Sequence, residues 1–167
     1  MADFQQPGAI TTLHALRPEA WHALEPELRR WARRRPLGVV LPALYSEFEK
    51  PAIHDILAEL EQLDWIERIV LVLSQADGRQ YESVCRLFAR FGGRATVLWR
   101  ESPAIQELLG DINNAGFAAA TPGKGRACWL GMGYLLGRGD CEVIAFQDCD
   151  IKTYHRRMLA RLAGPLM

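Results

Sequence analysis

The sequence predicts an α/β fold, a mostly parallel sheet flanked by helices with a helical appendage at the N-terminus, and three observations carry the prediction. Four short runs, at 37–41, 68–73, 95–99 and 142–147, are apolar almost throughout. Helix-length stretches with apolar residues on one face alternate with them, which is the pattern of β-α units and a parallel sheet. The runs also lack the every-second-residue polarity of a sheet with one wet face, so helices are expected on both sides. A chain of 167 residues buries one respectable core. The expected organisation is a tail and helix over 1–36 and one α/β domain over 37–167.

In chain order, residues 1–12 are polar, carry Pro7 and Gly8 and show no periodicity, so they are expected to be poorly ordered. Over 18–34 Trp21, Leu24, Leu28 and Trp31 recur at helical spacing, predicting a helix that packs on the main domain and that Pro26 can break in two. Arg35-Pro36 ends it, because the residue before a proline is pushed out of the helical region. The first strand follows at 37–41. A helix over 48–63 presents Ile53, Ile56, Leu57 and Leu60 on one face, and one over 81–91 presents Val84, Leu87, Phe88 and Phe91. Between the third strand and the next helix, 104–120 reads as one helix despite Asn113, Asn114 and Gly116, with Thr121-Pro122-Gly123 as its end. A helix over 125–136, with Cys128, Trp129, Met132 and Leu135 on one face, leads to the fourth strand, and 152–162 closes the chain as an amphipathic helix.

Composition excludes several classes. Lys plus Arg number 20 and Asp plus Glu 20, whereas a nucleic-acid binder shows a basic excess. The dense run Arg29, Arg30, Arg33, Arg34 and Arg35 reads as a solvated helix end or as a contact for an anionic membrane or acidic partner. Cys85, Cys128, Cys141 and Cys149 show neither a C-x-x-C pair nor zinc spacing and lie in apolar segments, so reduced thiols are expected. No apolar run approaches membrane-spanning length and no secretory leader pattern is present. The expected location is the cytoplasm.

Ligands of open α/β sheets bind outside the carboxyl ends of the strands. After the fourth strand come Asp148 and Asp150. Two carboxylates one residue apart repel each other unless a positive charge lies between them, and a hard divalent cation, magnesium or manganese, answers that need. The alternative is a pair of solvated turn aspartates, one of them capping the next helix. Gly123-Lys124-Gly125-Arg126 opens a helix, where backbone amides, the helix dipole and Lys124 favour an anion; alone, it also reads as a surface turn.

Taken jointly, Leu41-Pro42-Ala43-Leu44 after the first strand, Gly123-Lys124-Gly125 opening a later helix and Phe146-Gln147-Asp148-Cys149-Asp150-Ile151 after the next strand resemble GT-A glycosyltransferases. Closest in look are the retaining glucosyl-3-phosphoglycerate synthases and mannosylglycerate synthases, from about Leu37 onward. The resemblance implies a GT-A-like (Rossmann-like) domain that binds a nucleotide-diphosphate sugar of the UDP-glucose or GDP-mannose type through magnesium or manganese. It implies Pro42, Ala43, Leu44 and Glu47 beside the nucleoside, with Ser74 next to them. Lys124 falls on the diphosphate or base, Asp148 on the ribose or metal water shell, and Asp150 on the metal. It assigns no catalytic residue within the chain.

Two departures matter. Tyr45-Ser46-Glu47 and Ser74-Gln75-Ala76-Asp77 stand where many members have an asparagine with glutamates and an Asp-rich turn; Asp77-Gly78 reads as an ordinary turn. The chain also ends seventeen residues after Asp150, before the half that binds the acceptor in such enzymes. His155 reads as an exposed or hydrogen-bonded histidine rather than a replacement ligand, and His14, His22 and His54 carry no role. Two functions therefore stand side by side: transfer of a hexose to a small acceptor such as 3-phosphoglycerate or glycerate, and a shortened non-catalytic module that binds a nucleotide sugar or assembles with a partner. An uncovered sheet edge in such a domain favours a homo-oligomer. The first strand lacks the G-x-G-x-x-G of a nicotinamide site, and Gly131-Met132-Gly133 reads as close packing within a helix.

Overall fold

The computed structural model describes residues 20–117 and 123–166. The expectations for residues 1–12 and for Thr121 and Pro122 fall outside them. Four strands, β1 (Leu37–Leu44), β2 (Ile66–Ser74), β3 (Ala95–Trp99) and β4 (Val143–Phe146), pair in parallel in the order β3-β2-β1-β4. This is the Rossmann-like α/β fold expected. Helices α2 (Pro51–Glu61), α3 (Gly78–Phe88) and α6 (Arg156–Ala163) cover one face, where Ile53, Ile56, Leu57, Phe88 and Leu159 close over Val39, Leu41, Ile69 and Leu71. Helices α4 (Pro103–Asn114) and α5 (Lys124–Arg138) cover the other, where Leu109, Ala127, Leu130 and Leu135 meet Val40, Val70 and Val72. Alternate residues of one strand thus serve two cores, which is why the runs are apolar throughout.

Helix α1 (Ala20–Ala32) runs through Pro26 without breaking. An interior proline costs about 3 kcal/mol, but Leu28 on the same helix is wholly buried and Leu24 and Trp31 pack beside it. Each such side chain, fully buried, returns about 1.5–3 kcal/mol. The helix packs on α6. The arginine run is partly engaged: Arg29 meets Asp64 at 2.8 Å and Glu25 at 3.2 Å, and Arg35 meets Glu142 at 3.5 Å.

Other differences from the sequence reading lie at element ends and have local causes. Helix α3 begins at Gly78, three residues early, because Asp77 caps it: its Oδ1 accepts from the Gln80 N–H at 2.8 Å while the Gln80 side chain accepts from the Asp77 N–H at 2.7 Å. Helix α4 starts behind the Ser102 cap and stops at Asn114, short of residue 120. Gly116, at φ +88°, turns the chain so that its N–H reaches the Asn113 carbonyl and that of Phe117 the Ile112 carbonyl, the bond pair of a glycine-terminated helix. Helix α6 is shorter than expected because His155 caps it, Nδ1 accepting from the Arg157 N–H at 3.2 Å. Among the described residues no helix is long and apolar enough to cross a membrane, and all four cysteines are free thiols.

Helix α5 is pressed onto the sheet at Gly131, where an added Cβ would lie 2.4 Å from Val40 Cγ1 and 3.2 Å from Val72 Cγ2; at Gly133 the space is open. Gly131→Ala is therefore expected to destabilise by about 1–3 kcal/mol through overpacking, whereas Gly133→Ala gains up to about 1 kcal/mol of helix propensity. Urea unfolding midpoints of the two variants should move in opposite directions.

Candidate functional site

The site begins where two strands part. β1 pairs with β2 as far as Leu44 and Ser74, but its ladder to β4 ends at Val40 and Phe146, with a last bond from the Gln147 N–H to the Val40 carbonyl at 3.0 Å. In a strand, every second residue turns its backbone polar atoms to the same side, so Pro42 faces β4 as Val40 does. Proline has no N–H to donate there. The ladder stops, and a cleft of about 490 Å³ opens between the two strand ends. The crossing from β3 through α4 and α5 to β4 also moves the chain from one face of the sheet to the other, so this gap is the topological switch point of the fold.

Every residue to which the resemblance assigned a nucleotide-sugar or metal contact lines this cleft. Pro42, Ala43, Leu44 and Glu47 come from the end of β1 and the turn after it, and Ser74 from the end of β2. Lys124 comes from the start of α5, and Asp148 and Asp150 from beyond β4. Glu47 is held by its own turn, Oε2 accepting from the Leu44 N–H at 3.3 Å. Helix α5 opens at Gly123, with φ +147° and no side chain of its own to cap the helix, so its positive dipole end faces the cleft.

The cleft has an acidic and a basic end. At the acidic end the Lys124 ammonium pairs with Asp148, and that contact raises the lysine pKa. Glu47 is raised above its ordinary 4.5, first by burial and further by Asp150 and Asp148, against the lowering effect of the Leu44 amide. The Cys149 thiol beneath is buried, and burial pushes its pKa up. At the opposite end lies Arg100, just past β3, with Gln75 past β2. Burial and the nearby Arg100 guanidinium lower the pKa of Arg126 on the first turn of α5. Among the described residues no three His, Cys, Asp or Glu side chains converge to hold a metal by themselves.

The sequence reading assigned nothing to Gln75 or Arg100. Both directly follow strands, so the strand-end rule that found Asp148 applies to them as well; neither sits in a recognisable motif. Asp77 lies outside the cleft lining and serves as a helix cap. His54 bonds the Phe48 carbonyl at 3.0 Å, and His155, 3.6 Å from Glu59, caps α6.

No protein-family model matches the chain. A glucosyl-3-phosphoglycerate synthase of Persephonella marina is 40% identical over 167 residues, 100% of this chain and 41% of the relative. The chain is similar to glucosyl-3-phosphoglycerate synthases over its whole length. A second synthase of that name, from Methanococcoides burtonii, is 28% identical over 134 residues, 80% of this chain and 33% of the relative. The chain thus spans about two fifths or less of the length of the curated relatives it matches.

The raised pKa of Glu47 has a stability consequence. A carboxyl raised in the folded state opposes folding once both states are ionised, and this opposition is absent below the unfolded value. Glu47→Gln is expected to raise the thermal midpoint in chelator-treated protein at pH 7. The gain should shrink as pH falls through the raised folded value and vanish below 4.5, as differential scanning fluorimetry across pH would show.

Proposed function

We propose that the cleft binds a nucleotide-diphosphate sugar and that the chain serves a glucosyl-3-phosphoglycerate-synthase-like glycosyltransferase, in which a hexose passes to a small acceptor such as 3-phosphoglycerate or glycerate. The single observation that carries this reading is the meeting of Lys124 and the start of α5 with Asp148 and Asp150 across the gap between β1 and β4. The names of the relatives support the reaction class.

The acidic end fits a hard divalent cation. Its donors are carboxylate oxygens, and Asp150 and Asp148 both act to raise Glu47, so negative charge gathers at that end. Asp150, with Asp148, would hold magnesium or manganese and leave the remaining positions to diphosphate oxygens and water. Bound there, the cation supplies charge stabilisation to the departing diphosphate. Lys124 and the positive dipole end of α5 share that task from the other side. Pro42, Ala43, Leu44 and Ser74 border the nucleoside, where backbone groups and small side chains admit a flat base. On this reading the protein works in the cytoplasm. Self-association is proposed as well: β4 is an edge strand with Phe146 exposed on it, and Trp129 and Leu136 are exposed on α5. Light scattering that reports a monomer over a wide concentration series would remove that part.

Calorimetric titration of UDP, GDP, UDP-glucose and GDP-mannose, with and without manganese, tests the site. Binding is expected to require the metal and to weaken at least about tenfold in Asp150→Ala, equivalent to about 1.4 kcal/mol. Absence of binding by all four would overturn the reading. Release of the nucleoside diphosphate in the presence of 3-phosphoglycerate or glycerate would distinguish an enzyme from a module that only binds or assembles.

A further inference from the structure

The basic end of the cleft holds a guanidinium with little to do inside the protein. The Arg100 side chain is only 12% exposed, and its nearest counter-charge is Glu101, at 3.7 Å from Nε, beyond hydrogen-bond distance. Among the described residues its side chain makes no hydrogen bond. A guanidinium carries five N–H donors and no acceptor, and no Arg100 nitrogen is both buried and unpartnered, so its donors stay open to the cleft. The surface it retains lines the cleft.

Arg100 is also held in place. Its backbone N–H donates to the Leu73 carbonyl at 2.9 Å, and its carbonyl accepts from the Gln106 side chain at 2.7 Å. Glu101 Oε1 reaches across to accept from the Gln75 N–H at 3.0 Å. Gln75 adopts φ +57°, an uncommon conformation for a non-glycine residue, kept where the surroundings over-determine it. The end of β3 is thereby tied to the end of β2, with the guanidinium between them and the cleft.

Position limits what Arg100 can meet. β3 and β4 are the two edges of the sheet, three strand spacings or about 14 Å apart. A diphosphate held at Asp148 and Asp150 lies toward the β4 edge, and the far end of an extended ligand lies toward Arg100. Pro42, Ala43 and Ala127 line the space between, apolar surface that suits a flat ring better than a hydroxyl-covered sugar. A donor-only group at the rim of a base requires an acceptor opposite, which uracil O4 and guanine O6 supply; cytosine and adenine present an amino group there.

We propose that Arg100 reads the nucleobase by donating to O4 of uracil or O6 of guanine, where cytosine and adenine carry an amino group, so that the cleft takes uracil or guanine nucleotides and rejects cytosine and adenine nucleotides. This rests on the nucleotide-sugar reading of the same cleft. The test is calorimetric titration of UDP, GDP, CDP and ADP, and of inorganic pyrophosphate, each with manganese, into the unaltered chain, Arg100→Gln and Arg100→Lys. The unaltered chain is expected to favour UDP or GDP over CDP and ADP by at least about tenfold, and which keto base wins is read from the same series. Arg100→Gln should reduce that preference to about twofold or less with pyrophosphate affinity unchanged, while Arg100→Lys, which keeps a donor, retains part of it. Equal weakening of UDP, CDP and pyrophosphate would show an anion contact and overturn base reading, as would an unaltered preference in Arg100→Gln. If Arg100→Gln does not fold, the preferences of the unaltered chain and of Arg100→Lys decide. Binding of all nucleotides alike by the unaltered chain overturns this proposal alone; binding of none overturns the nucleotide reading with it.

Discussion

One missing hydrogen-bond donor organises this molecule. Pro42 stands in the central strand, where a proline is ordinarily excluded, and it is tolerated because its donorless face points to the side on which β4 has already ended. Because β1 and β4 separate at that level, the turn after β1 and the Asp148-Cys149-Asp150 segment flank a cleft instead of continuing a ladder. The start of α5, pressed against Val40 and Val72 through Gly131, then has only one place to direct its amides and Lys124.

The charge arrangement follows from that opening. Three carboxylates gather at the β4 side with one lysine among them, and two arginines stand toward the β3 side with one glutamate. Opposite poles across three strand spacings match a ligand with a charged middle and a polar, uncharged end. Neither pole is complete by itself: Glu47 has a raised pKa, and the Arg100 side chain makes no hydrogen bond among the described residues. A cation would relieve the first and a hydrogen-bond acceptor the second.

How much of this was legible in the chain depends on how local the cause is. The four strands were visible because both faces of the sheet are buried and the runs are apolar throughout. Their ends were not, because β1 extends through Pro42 only by virtue of its β2 partner. The start of α3 was encoded locally in Asp77 and Gln80 but is overshadowed by the Asp77-Gly78 turn signal, and the stop of α4 at Gly116 competes with an apolar pattern that runs on. Pro26 predicts a break that packing of Leu28 overrides.

Hydrophobic periodicity is a property of neighbouring residues, so the sequence by itself determined the α/β class, the helix faces and the residues that follow each strand: Pro42 to Glu47, Ser74, Lys124, Asp148 and Asp150. The order β3-β2-β1-β4 depends on which strands pair through space, and only the tertiary structure decided it. That order sets Lys124 against Asp148, brings Glu101 across to the Gln75 amide and turns Arg100 into the same cleft. No local pattern marks these contacts, because each joins residues 24 to 26 positions apart whose meeting is imposed by the sheet.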